Sequence, residues 1–90
     1  MPVNANEDGE PPHLTVYSRT WCHLCDDMIA GLQPLQARFR FRLDIVDVDA
    51  DGDLEKRYGE HVPVLLHGSR ELCRHRLDTA LVTDYLAGIG

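Results

Sequence analysis

No stretch of this 90-residue chain approaches the roughly 20 consecutive apolar residues that crossing a bilayer requires. Basic residues are also scarce, with nine Lys and Arg against fifteen Asp and Glu and a formal net charge of −6. Nucleic acids and anionic membranes select for basic patches, so neither is expected as a partner. The arginines that do cluster, Arg38, Arg40 and Arg42 and again Arg70, Arg74 and Arg76, read as solvated faces. Cysteines number three, which is odd and too few for a disulfide-stapled secreted mini-protein. The N-terminus lacks a basic segment followed by an apolar run, so no secretory signal is expected. The expected setting is therefore a reducing cytosol, where a close cysteine pair serves catalysis or metal binding more readily than structure. Internal repeats and low-complexity tracts are absent.

What is present is an ordinary globular composition, 43% hydrophobic and 27% charged, sized for one small core. Residues 1–12 are rich in Pro, Asn, Glu, Asp and Gly and read as a disordered tail, leaving residues 13–90 as the single domain. Residues 14–18, LTVYS, are β-branched and aromatic and predict a strand. From Cys22 the period changes: Leu24, Met28, Ile29, Leu32, Leu35 and Phe39 recur at helical spacing. Gly31 and Pro34 interrupt that helix at costs of about 1 and 3 kcal/mol, so a kink or two helical pieces are expected. Residues 41–48 predict a second strand that runs into Asp47, Asp49, Asp51 and Asp53. Asp51 or Asp53 can cap a short helix ending at Gly59. Residues 62–66 predict a third strand, and a turn at Gly68 leads into a short fourth near Glu71 and Leu72. Asp78 then caps a last helix bearing Leu81, Val82, Tyr85, Leu86 and Ile89. A strand–helix–strand crossover makes its strands parallel and a tight turn makes them antiparallel, so the expected fold is α/β with a mixed four-stranded sheet, in the order β-α-β-α-β-β-α. Tyr58, Tyr85, Phe39 and Phe41 read as core or core-edge residues.

Cys22 and Cys25 carry the chemistry. Two cysteines with two residues between them can close a disulfide or share a metal. Cys22 follows a strand-to-helix turn, which puts its sulfur at a helix N-terminus, where unpaired N–H groups and the dipole favour a thiolate. Cys25, one turn in, is less exposed and can reach back. The pair thus supplies an attacking and a resolving sulfur. His23, if protonated, would favour the thiolate, or else is a solvated helix residue. Asp26 and Asp27 either oppose the thiolate by repulsion or suit the helix start. Trp21 is a substrate-facing lid or plain packing. Cys73 is an inert buried or half-buried thiol, or else a second redox partner or glutathionylation site.

The segments Val16–Tyr17–Ser18–Arg19–Thr20–Trp21–Cys22–His23–Leu24–Cys25 and Val62–Pro63–Val64–Leu65 together resemble a glutaredoxin-like protein of the thioredoxin superfamily, over about residues 14–86. The resemblance implies a thioredoxin-like fold with Cys22 as nucleophile and Cys25 as resolving cysteine. It makes Pro63 a cis-proline facing the active site. Val62 becomes the residue whose backbone pairs with a bound thiol substrate, and Arg19 a basic residue near a glutathione carboxylate. Trp21 and His23 join Arg19, Val62 and Pro63 as substrate-binding candidates. Two departures are visible. His23–Leu24 stands where Pro–Tyr is common, and Cys73–Arg74 stands near the usual Gly–Gly pair, with Asp78 late for the acid that follows it.

Three function classes follow. The first is a disulfide reductase acting on protein disulfides or glutathione mixed disulfides, with no bound cofactor. Glutathione is its candidate co-substrate, a reductase its electron donor, and it works as a monomer in the cytoplasm. The second is a metal or iron–sulfur module in which Cys73 with His23, His61 or His75 completes a ligand set begun by Cys22 and Cys25. The third is a redox-inactive adaptor that binds a partner through Val62 and Pro63.

Overall fold

A computed structural model describes residues 11–89. The tail expected at residues 1–12 lies outside the described residues except for Pro11 and Pro12, and the Pro12 carbonyl accepts the Arg42 N–H at 2.8 Å. Four strands and three α-helices follow in the order β1 (His13–Ser18), α1 (His23–Phe39), β2 (Arg42–Asp47), α2 (Gly52–Tyr58), β3 (Val64–His67), β4 (Arg70–Arg74) and α3 (Thr79–Ile89). A single 3-10 turn, Val48–Ala50, joins β2 to α2. The sheet order is β2-β1-β3-β4. β1 runs parallel to β2 and antiparallel to β3, and β4 returns antiparallel through the Gly68 turn. Gly68 has φ +61°, a left-handed conformation that glycine adopts without steric cost.

Strand periodicity decides which helix covers which face. Leu14 and Val16 point to one side of β1 and join Met28, Leu32 and Leu35 of α1, Val82 and Leu86 of α3, Leu65 of β3 and Leu72 of β4 in the buried core. Tyr17 points to the other side and stacks on Tyr58 of α2, ring centroids 4.6 Å apart. α1 and α3 therefore share one face and α2 takes the other. Phe41 is buried in the core, while Phe39 and Tyr85 pack at its edge.

The helix caps follow the expected chemistry. Asp51 accepts the N–H groups of Asp53 (2.9 Å) and Leu54 (3.3 Å) to start α2, and Asp78 accepts the Leu81 N–H at 3.1 Å to start α3. Of the two alternatives at Pro34, separate helical pieces do not occur, because α1 is one continuous helix through it. Pro34 lacks the N–H that Ala30's carbonyl would accept, but both residues are exposed, on the solvent side of the helix, where a lost helical bond costs least. Gly31 has a packing reason. A Cβ there would stand 2.8 Å from Leu77 Cδ2, so glycine lets the segment before α3 close on α1.

Because Pro34 removes a helical hydrogen bond without packing in return, Pro34→Ala should raise unfolding free energy by about 1–2 kcal/mol. Chemical denaturation would register this as a higher midpoint at unchanged slope.

Candidate active site

Cys22 is the N-cap of α1. Its backbone is extended (φ −112°, ψ 105°) and its Sγ accepts the Cys25 N–H at 3.2 Å. Its carbonyl accepts the first helical bond, from the Asp26 N–H at 3.1 Å. Ser, Thr, Asp or Asn oxygens usually fill this position; here a sulfur does. Cys22 and Cys25 are joined as a disulfide, with Cα atoms 5.2 Å apart, inside the roughly 4.4–6.8 Å span of such bonds. Cys22 is half-buried, whereas Cys25 is 1% exposed. An outside group thus has access to the first sulfur and not the second. Asp26 and Asp27 are exposed, and neither supplies the cap.

Sheet register brings the remaining loops to the same end. Ser18, closing β1, pairs with Asp47, closing β2. Tyr17 pairs with Val64, opening β3, and Val64 in turn pairs with Arg74, closing β4. The loop into Cys22, the turn after Asp47, the Val62–Pro63 segment and the loop after Arg74 therefore lie side by side at one edge of the sheet. The Val62–Pro63 peptide is cis. Pro63 is buried, and its carbonyl accepts the His75 N–H at 2.7 Å. Val62 is half-buried, and its own N–H and C=O have no partner among the described residues. Trp21 has φ +63° and is 96% exposed, so it does not pack into the protein. A bulky residue in that backbone region is uncommon and costs free energy that the surrounding chain must offset. His23 is exposed at the first position of α1.

Arg19 is committed inside the chain. Its Nη2 and Nε donate to Asp49 at 2.6 and 3.2 Å, its Nη1 donates to the Gly59 carbonyl at 3.0 Å, and Glu55 lies 3.5 Å from Nη2. The carboxylate facing Arg19 here is Asp49 of the turn after β2, so the guanidinium ties the loop before Cys22 to both ends of α2. Its hydrogen bonds hold the Asp49 carboxyl below the usual range. Sequence reasoning did not join Arg19 to the acidic run, because the contact spans 30 residues.

Cys73 sits half-buried on β4 opposite Leu65, and burial pushes its thiol pKa up. That disfavours the thiolate that exchange chemistry needs. His61 and His75 meet edge to face, 6.1 Å between centroids. Among the described residues no group of three or more His, Cys, Asp or Glu side chains could hold a metal ion, so the ligand set built on Cys73 and a histidine is not brought together. A cleft bounded by Leu24, Asp27 and Met28 of α1 and by His75, Arg76 and Leu77 opens beside the pair. Sequence reading missed it. Its one local signal was a glycine inside an otherwise helical pattern, which often marks close approach of another segment.

The pattern of the glutaredoxin-like domain (DUF836) matches residues 13–87. The chain belongs to this family. Its fold is that of the thioredoxin superfamily, as the resemblance implied. Protein Ne2328 from Nitrosomonas europaea, known from a solution NMR structure, is 40% identical with a TM-score of 0.75, over 84% of this chain and 92% of that one. The X-ray structure of protein XcR50 from X. campestris is 37% identical with a TM-score of 0.66, over 83% of this chain and 96% of that one. The germline-specific thioredoxin Deadhead from Drosophila melanogaster, at 23% identity and TM-score 0.59 over 89% of this chain and 82% of its own, shares the fold. No curated protein sequence matches the chain.

Asp49 and Glu71 are both held below the usual carboxyl range by hydrogen bonds, from Arg19 and Arg74 respectively. A lowered folded-state value adds stability above the unfolded value of about 4, and that stability is lost as pH falls through the folded value. Arg19→Met should therefore lower Tm by a few degrees at neutral pH. It should also flatten part of the loss of stability between about pH 5 and pH 2, read from melting curves across that range. An unchanged acid limb would show that the Arg19–Asp49 contact contributes nothing in solution.

Proposed function

We propose that this protein is a thiol–disulfide oxidoreductase in which Cys22 attacks and Cys25 resolves. The observation that carries this reading is the Cys22 sulfur at the N-cap of α1, accepting the Cys25 N–H at 3.2 Å. In the reduced protein the same N–H and the positive helix end favour the Cys22 thiolate. That thiolate attacks one sulfur of a substrate disulfide, forms a mixed disulfide and expels the other sulfur as a thiolate, which takes a proton from water. Cys25 then gives up its proton, attacks the Cys22 sulfur and releases the second substrate thiolate. Two electrons pass from the protein dithiol to the substrate, and the Cys22–Cys25 disulfide closes. Burial of Cys25 keeps it from outside disulfides until one is already attached to Cys22.

Substrate orientation falls to Val62, Pro63, Trp21 and His23. The unpartnered N–H and C=O of Val62 can pair with an extended peptide backbone, as a strand edge does. The exposed indole of Trp21 offers a rigid apolar contact of the kind that dominates binding surfaces. Arg19, spent on Asp49 and Gly59, acts on this reading by holding the loop that carries Cys22. Substrates are protein disulfides or glutathione mixed disulfides. Electrons return from glutathione or a reductase in a reducing cytosol, with no bound cofactor and one chain sufficient.

The test is turnover of a disulfide substrate by variants. Cys22→Ser should lose at least a hundredfold in rate, while Cys25→Ser should accumulate a mixed disulfide visible as a mass increase equal to the substrate thiol. Full reductase activity in Cys22→Ser would remove Cys22 as nucleophile, whereas a wild type that reduces no disulfide would leave the fold as a binding module.

A further inference from the structure

The cleft beside α1 has a volume of about 280 Å³. That is at or below the lower edge of the roughly 300–1,000 Å³ typical of small-molecule sites, and suits one or two side chains. Two observations tie it to the site of the reactive pair, and a third bounds it. Leu24, which stands between the two cysteines, forms its near wall. Leu77 closes its far end against Gly31. His75, on its loop rim, donates its N–H to Pro63, so that rim is joined to the Val62–Pro63 segment. His75 holds φ +67°, which a non-glycine residue adopts at a cost and which recurs at ligand clamps.

The lining is apolar below and charged at the two rims. Leu24, Met28 and Leu77 are the apolar residues, Asp27 stands on the helix rim and Arg76 on the loop rim. Arg76 differs from Arg19 and Arg74, whose guanidinium groups are spent on carboxylates of this chain. Among the described residues Arg76 has no ion-pair partner. The net charge of −6 repels acidic partners at long range, so a local preference for an acid must come from a cation close to the bound side chain, and Arg76 is the arginine that lines the cleft.

We infer that the cleft is a specificity site for polypeptide substrates, taking an apolar side chain next to the substrate cysteine while Arg76 receives an acidic side chain beside it. Asp27 on the opposite rim turns away a second carboxylate and so fixes the direction in which the peptide lies. This rests on the oxidoreductase reading, since the occupant is the flank of the disulfide that Cys22 attacks.

The experiment uses the full chain, pre-reduced, in single turnovers against three disulfides. One is hydroxyethyl disulfide, which has no side chains to fill the cleft. The other two are symmetric disulfides of short peptides with Cys–Leu–Glu or Cys–Leu–Lys, otherwise identical. The wild type should reduce the Glu peptide about three- to tenfold faster than the Lys peptide at about 0.1–0.15 M salt, where the net charge is screened beyond roughly 8–10 Å and one exposed charge pair turns from attraction to repulsion. Arg76→Glu should invert that order, and Arg76→Gln should erase it. Equal rates for the two peptides in the wild type, or a preference untouched by either substitution, would overturn the specificity site. Failure to reduce any of the three disulfides would instead overturn the oxidoreductase reading, and the site with it.

Discussion

Everything at the reactive end of this molecule depends on where α1 begins. The first N–H groups of a helix have no intrahelical acceptor, and the chain supplies one in the form of the Cys22 sulfur. Had the helix started a turn earlier, both cysteines would lie inside it and their backbone N–H groups would be spent on carbonyls. A later start would leave the Cys25 N–H without that geometry. Strand β1 ends at Ser18, buried in the sheet, and the chain then has four residues in which to reach the helix. Trp21, in the left-handed region, completes that reversal.

One long-range tie holds this start in place, and a second joins the loops beside it. Arg19 fastens the connecting loop to Asp49 and Gly59 across the sheet edge. Pro63 is fastened to the loop after β4 through His75. Both ties run between segments that sheet register alone brings together, so the mixed four-stranded order is a precondition of the site. Each tie is modest, because surface ion pairs and single hydrogen bonds stabilise by little. Their value lies in geometry, since they limit how far the loops that approach a bound substrate can move apart.

Much of this was legible in the chain. The β-branched and aromatic run at residues 14–18 and the period-3.6 recurrence from Leu24 to Phe39 are local signals, and local signals survive folding. The Cys22–Cys25 spacing after a strand was readable for the same reason. What resisted reading depended on partners distant in sequence. Gly31 looked like a weakness until Leu77 was seen against it. Pro34 suggested a break, but at an exposed position the helix loses only one hydrogen bond and stays continuous. Arg19 was legible as a basic residue near the motif; that its charge is answered by Asp49 was not, because no spacing rule connects residues 19 and 49.

The most direct measurement follows the ultraviolet thiolate absorbance of the reduced protein as pH is raised, with Cys22→Ser as reference. Stabilisation at the helix start predicts one thiolate appearing well below the free-thiol value of about 8.5, and missing from the Cys22→Ser protein. A Cys22 thiol that ionises at or above about 8.5 would contradict it.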